Sequence, residues 1–270
     1  MKFVLSYVQG RLSKKVGEKF QYFPIHNWQN ELILAKKIGL ENMEWIISDL
    51  SNPILNSYSC KEIKKILKKN RIRISSISLD LIMEKPLHTW SMVDLEWFIN
   101  ILKNAVIIHK VKRLNIPCEE QARFFNSENL GKFKKNLRFI LKKLSRSTYV
   151  SIESDFSPRN INYLLKNLKS DQLGVNLDLG NIEANGYDIQ DYLDLLNKKI
   201  FGVHIKERKL LFGLSKKLNL NKNIKYLFSN IHKLSNLKDI TLQTFRSKNN
   251  YVNDLSKSFK LIKNMIVNYG

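Results

Sequence analysis

Four runs decide how this chain folds: Tyr149-Val150-Ser151-Ile152-Glu153, Leu173-Gly174-Val175-Asn176-Leu177-Asp178, Ile200-Phe201-Gly202-Val203-His204 and Ile240-Thr241-Leu242-Gln243. Each reads as a short, largely apolar strand, and each stops on a side chain with an oxygen or imidazole donor. A polar residue where an apolar strand ends is unusual once. Four in succession point to one site built from the carboxyl ends of neighbouring parallel strands, which is where α/β folds place their chemistry. Glu153, Asp178, His204 and Gln243 follow one another at intervals of one βα unit, the last with a longer loop.

Outward from these runs the same alternation covers the chain. Strand-like segments 3–8, 42–47, 72–79, 111–116, 149–152, 174–177, 200–205 and 239–242 are each followed by apolar residues at helical spacing, over 28–38, 61–69, 93–109, 130–144, 161–168, 189–196, 224–234 and 255–267. The strands are rich in Val, Ile and Leu, as expected when both faces are covered. Eight βα units imply parallel strands, right-handed crossovers and an α/β fold of the (β/α)8 TIM-barrel type, one domain over residues 1–270. A doubly wound open sheet is the alternative. The chain carries no GxGxxG or GxxxxGK[ST] fingerprint of its nucleotide-binding forms.

Composition agrees. The chain has 270 residues, 43% of them hydrophobic, with 10 Gly and 5 Pro, enough to bury a core without staples. Cys60 and Cys118 form no CxxC pair, which argues against a disulfide framework or a zinc ribbon. The apolar run at 1–8 is shorter than a signal-peptide core and is interrupted by Gln9-Gly10-Arg11, so it reads as a first strand. No apolar run reaches membrane-spanning length, and the expected location is cytoplasmic. The formal net charge of +22 would attract polyanions and phosphorylated metabolites. The lysines are scattered along the polar faces of the expected helices, however, as a solvated surface in a Lys- and Asn-rich chain would be. Nucleic acid is therefore not an expected partner.

Taken singly, the strand-end residues have ordinary structural readings. Asp178 before Leu-Gly-Asn looks like a turn residue, Glu153 could pair with a lysine, His204 could be a hydrogen-bonded core histidine and Gln243 could satisfy backbone groups. Their shared topological position makes the joint case. The donor set suits one divalent metal (Mn, Mg, Co or Zn) and excludes a thiolate site.

At this point the chain resembles the xylose-isomerase-like TIM barrels of the sugar phosphate isomerase/epimerase family. Val8-Gln9-Gly10-Arg11-Leu12-Ser13 is similar to their opening strand and loop, and the stretch from Trp28 to Glu44-Trp45 to their "W…E…A…G…IEW" pattern. Gly174–Asn181 is similar to "G.N.DTGN", Val203–Arg208 to "VHIKDR" and Leu242–Arg246 to "LQTAR". The resemblance implies a divalent metal held by Glu153, Asp178, His204 and Gln243. It implies that Glu153 and Gln243 lie at the catalytic centre, with Glu153 as acid/base in an enediolate-type proton transfer. It also implies that Arg11, Lys206, Arg208 and Arg246 bind substrate oxyanions. The expected substrate is a small carbohydrate, namely a sugar, sugar phosphate or polyol, and a homo-oligomer is left open.

Two departures from the family pattern matter. Two-base epimerases carry Glu where Gln243 stands. An amide can ligate but cannot accept a proton in this role, so a second base is sought at Asp80, Asp155 or Glu183. The loop 209–221 lacks the usual glycine-rich turn. Two other function classes stay open: an apurinic-site endonuclease-like nuclease, which needs a histidine-rich multi-metal cluster, and a barrel that has lost catalysis and only binds a ligand. The chain has 5 His, most of them away from strand ends, which counts against the nuclease.

Overall fold

The computed structural model describes residues 3–15, 21–124, 126–208, 215–216, 218 and 220–269. Eight parallel strands close into one barrel: β1 (Val4–Val8), β2 (Asn42–Ile46), β3 (Arg73–Ser78), β4 (Arg113–Pro117), β5 (Tyr149–Glu153), β6 (Leu173–Asp178), β7 (Ile200–Ile205) and, after a short antiparallel pair β8 (Glu207–Arg208) and β9 (Ser215–Lys216), β10 (Asp239–Leu242). Neighbours run in chain order and β10 pairs with β1, which removes both sheet edges. This is a single-domain (β/α)8 barrel, as the alternating pattern predicts.

The outer helices are α1 (Trp28–Ile38), α2 (Ser57–Asn70), α4 (Met92–His109), α5 (Ser127–Lys143), α6 (Pro158–Leu168), α8 (Ile189–Leu196), α9 (Lys222–Ser229) and α10 (Tyr251–Tyr269). Two short helices, α3 (Leu81–Glu84) and α7 (Leu179–Ala184), sit directly after β3 and β6. They are too brief to leave a periodic signal in the sequence. Local chemistry sets many helix starts: Asn56, Ser91, Asn126, Ser157, Asp188 and Asn221 each accept a hydrogen bond from a backbone N–H of the first turn. No helix among the described residues is long and apolar enough to cross a membrane.

The strands are rich in Val, Ile and Leu, but the barrel interior also holds a buried polar network. Its core holds Arg113, which is fully buried. Its Nη2 lies 2.6 Å from Asp239 Oδ1 and 3.0 Å from Glu44 Oε2, its Nε donates to Asp239 Oδ2 at 2.9 Å, and its Nη1 donates to Ser151 Oγ at 2.8 Å. Ser76 Oγ donates to Glu44 Oε2 at 2.8 Å. One cation thus ties together β2, β4, β5 and β10. A buried charge is tolerable only when paired and hydrogen-bonded in this way. Gly202 makes room for it, because a Cβ there would stand 2.5 Å from Arg113 Cζ and 2.4 Å from Asn176 Oδ1. Trp45 and Trp90 are buried, whereas Trp97 is 53% exposed on α4.

Candidate metal centre

Strand register brings three of the four strand-end residues together. Asp178 and His204 are direct Cα partners across β6 and β7, and Glu153 ends the adjoining β5. One donor atom from each of Glu153, Asp178 and His204 lies within 4.8 Å of the other two, and all three residues are buried. Asp178 also starts α7, where its Oδ1 accepts from Asn181 N at 2.9 Å. The turn reading of Asp178 and the ligand reading are therefore compatible: one carboxylate oxygen caps the helix and the other stays in the site. Asp178 Oδ2 lies 2.6 Å from Lys206 Nζ, at a geometry short of a linear hydrogen bond.

Glu153 is held from two sides. Asn115 Nδ2 and Asn176 Nδ2 donate to its Oε2 at 2.5 and 3.0 Å, and His204 Nδ1 lies 3.2 Å from its Oε1. The other ring nitrogen, His204 Nε2, approaches Glu44 Oε1 at 2.9 Å, without a linear hydrogen bond between them. The imidazole is thus sandwiched between two carboxylates. Burial alone would lower its pKa, but the negative charges of Glu153 and Glu44 outweigh that and hold it well above the usual histidine value. Burial would raise Glu153, but His204 and then Lys206 hold its carboxyl well below the usual carboxylate range.

Gln243, on the residue after β10, is placed by a short amide chain. Its Nε2 donates to Gln21 Oε1 at 2.8 Å, and Gln21 Nε2 donates to Asp80 Oδ2 at 2.6 Å. Arg11 Nη2 also donates to Gln21 Oε1, at 3.1 Å. Arginine has no acceptor and a carboxylate no donor, so Arg11 and Asp80 together fix which way the Gln21 amide points, and hence that of Gln243. The Gln243 carbonyl Oε1 is left buried without a hydrogen-bond partner.

This leftover inventory tests whether the site suits a cation. Gln243 Oε1 is a buried polar atom with no hydrogen-bond partner, and such an orphan calls for an explanation; Asp178 Oδ2 faces the Lys206 ammonium. The donor set of two carboxylates, an imidazole and an amide oxygen is that of a Mn, Mg, Co or Zn site. The residues present fit a divalent ion.

Above them opens a pocket of about 280 Å³ at the carboxyl end of the barrel. Glu153, Lys206 and Gln243 line it, with Asp80, Glu84, Glu119 and Glu120 from the loops after β3 and β4. Both Glu119 and Glu120 thus face the mouth, a point the sequence leaves undecided. Among the described lining residues there are five carboxylates and one cation. Arg246 is used elsewhere: its Nη1 donates to the carbonyls of Gly10 and, at 3.3 Å, Ser13. The side chain of Arg208, and most of the loop 209–221, lie outside the described residues.

The family described as xylose isomerase-like TIM barrel matches residues 32–258. The chain belongs to that family. No curated protein matches the sequence. Among solved structures, the chain is similar to the IOLI protein with a binding zinc atom, at 13% identity and TM-score 0.72, with 100% of this chain and 99% of that one covered. It is also similar to D-psicose 3-epimerase from Clostridium cellulolyticum H10, solved with D-tagatose, at 10% identity and TM-score 0.74 over 98% and 99% of the two chains. An AP endonuclease, family 2, from Brucella melitensis matches at 15% and 0.69 over 96% and 99%. At these identities the structural likeness speaks for the fold. Within this xylose isomerase-like barrel, sequence reasoning missed Glu44, Gln21 and Arg113. Glu44 appears in the quoted "IEW" pattern, and a carboxylate in the middle of a strand-like run was the available signal.

Proposed function

We propose that this protein is a metal-dependent isomerase or epimerase of a small polyhydroxy compound, working by proton transfer at a carbon next to an oxygen. The observation that carries the proposal is the convergence of Glu153, Asp178 and His204 within 4.8 Å of one another; Gln243, whose carbonyl has no hydrogen-bond partner, lines the same pocket as Glu153. Glu153, Asp178, His204 and Gln243 are the proposed ligands. A bound divalent ion would supply a Lewis acid for the substrate's oxygens.

The chain's own groups account for the proton. Glu153 reaches the pocket wall, is held deprotonated, and takes the proton on one face of the substrate. Gln243 cannot return it on the other. Of the three alternatives, Asp155 is engaged by Arg123 and Glu183 does not line the pocket. Asp80 does line it, and burial pushes its carboxyl up to about 6, against hydrogen bonds from Ser78 and Gln21. A carboxyl that titrates near neutrality both gives and takes a proton efficiently. Asp80 is also linked to Gln243 through Gln21. It supplies the second proton carrier next to the position where two-base relatives have a glutamate.

Lys206, beside Asp178, is placed to polarise a substrate oxygen. Arg11 acts through Gln21 rather than on the substrate. Among the described lining residues carboxylates outnumber cations, which favours an uncharged ketose or polyol over a phosphate ester. The nuclease reading has less support: His204 is the one histidine in the cluster found among the described residues. The test is solvent exchange. Metal-loaded protein is screened against free and phosphorylated ketoses in deuterated water. Metal-dependent deuterium uptake into a free sugar is expected, with Glu153→Gln losing it while keeping the fold. Full exchange in that variant would remove Glu153 from the reaction.

A further inference from the structure

The opposite end of the barrel holds a second, larger cavity, of about 1090 Å³. Leu67, Ile72, Ile74 and Ile108 give it apolar walls. Among the charged residues of the lining, Lys and Arg predominate. Lys64 and Lys68 come from α2 and Arg71 from its end, Lys110 and Lys112 from the segment between α4 and β4. None of these five has an ion-pair partner among the described residues. Arg73 contributes too, with the exposed Glu41 3.8 Å away. Lys238 lies 4.2 Å from the centroid of the Tyr149 ring. Seven cations thus face one acid in this lining, whereas the metal-centre pocket has five carboxylates and one cation. Among the described residues, the two linings carry opposite charge.

The scattered lysines of the sequence therefore do not form a uniform solvated coat. Contributions from three separate segments converge on one concavity. The carboxyl ends of α2 and α4 offset part of the positive charge, but a helix end carries only about half an elementary charge. Most of the like charge is left unbalanced, which destabilises the fold and favours any anion that fills the space. Arg71 and Lys110 also occupy left-handed backbone at φ 58° and 55°, the helix-end position that glycine takes most readily.

We propose that this cavity binds a compact oligophosphate, with phosphates held by Lys64, Lys68, Arg71, Lys110 and Lys112 and any uncharged part of the ligand against the apolar walls. The shared chemistry is a chain of phosphates, whether free or carried by a nucleotide. The site is remote from the proposed metal ligands, so its test is independent of them.

The experiment is calorimetry and thermal melting of the full chain, stripped of metal, with tripolyphosphate and with ATP. One equivalent of either should bind, raise the melting temperature by several degrees, and weaken at least about tenfold in high salt. ATP binding more tightly identifies a nucleotide as the source; equal binding identifies free oligophosphate. The variant Arg71→Gly/Lys110→Gly places glycine where the backbone is left-handed. It should melt no lower than the parent and take up metal normally, yet bind either ligand at least about tenfold more weakly. No binding, or equal binding in the variant, would overturn the proposal. So would a random-sequence oligonucleotide that binds more tightly than ATP with stoichiometry rising with its length, which would make the charge a nucleic-acid surface instead.

Discussion

Glu44 is the residue on which the proposed metal centre most depends without lining its pocket. Its carboxylate sits 2.9 Å from His204 Nε2, while Nδ1 faces Glu153. A carboxylate behind a ligating histidine fixes the tautomer and raises its basicity, and loss of such a partner costs about 10–100-fold in metal affinity. Glu44→Gln is expected to lose affinity in that range, measured by competition with a chelating dye, with far-ultraviolet circular dichroism unchanged. Acidification should weaken binding too, since a proton on His204 competes with the ion. The raised pKa means the loss begins above the usual histidine range. Asp80 ties stability to pH. Its folded pKa of about 6 exceeds the unfolded value, so its contribution to stability is present at low pH and is lost as pH rises through about 6. Activity in the direction in which Glu153 takes the proton moves the same way, falling as Asp80 deprotonates, because Asp80 must carry the proton it returns. Asp80→Asn should abolish the falling limb near pH 6 in the rate profile and flatten the stability slope there. The strand-end donors were legible in the sequence because each stands where an apolar run stops. Glu44 and Asp80 were harder, since their importance comes from pairing with residues that lie far away in the chain.

At the level of elements, the strands were readable and their inner face was not. The apolar/helical alternation located all eight barrel strands because each strand is followed by an amphipathic helix. It could not show that Ser76, Arg113, Asn115, Ser151, Asn176 and Asp239 share the buried interior, because inward orientation depends on register. Gly202 is the element-scale consequence. β7 can carry no side chain there without striking Arg113 and Asn176. Gly202→Ala should destabilise the fold by about 3 kcal/mol and loosen the Asn176 hold on Glu153, both read by urea unfolding with and without metal. Arg113→Met should cost about 3–5 kcal/mol, because it strands Glu44 and Asp239 as unpaired buried charges. A second substitution at Asp239 to Asn should recover part of that loss.

Across the whole molecule, the barrel separates two charge environments. Carboxylates gather over the proposed metal centre and cations around the cavity at the other end. Net charge alone, +22, suggested a phosphate-seeking active site, and the lysine pairs looked like ordinary helix surface. Only the fold shows which lysines meet. Family membership was legible from the motifs around Asp178, His204 and Gln243, which are short, local and tied to strand ends. Substrate choice was not, because it rests on loops whose side chains come together only in three dimensions.

The most direct measurement is anomalous diffraction from crystals of the full chain soaked in manganese. A single peak enclosed by Glu153, Asp178, His204 and Gln243, and lost in His204→Ala, is the predicted result. A peak bound elsewhere, several peaks, or none at saturating manganese would contradict the account.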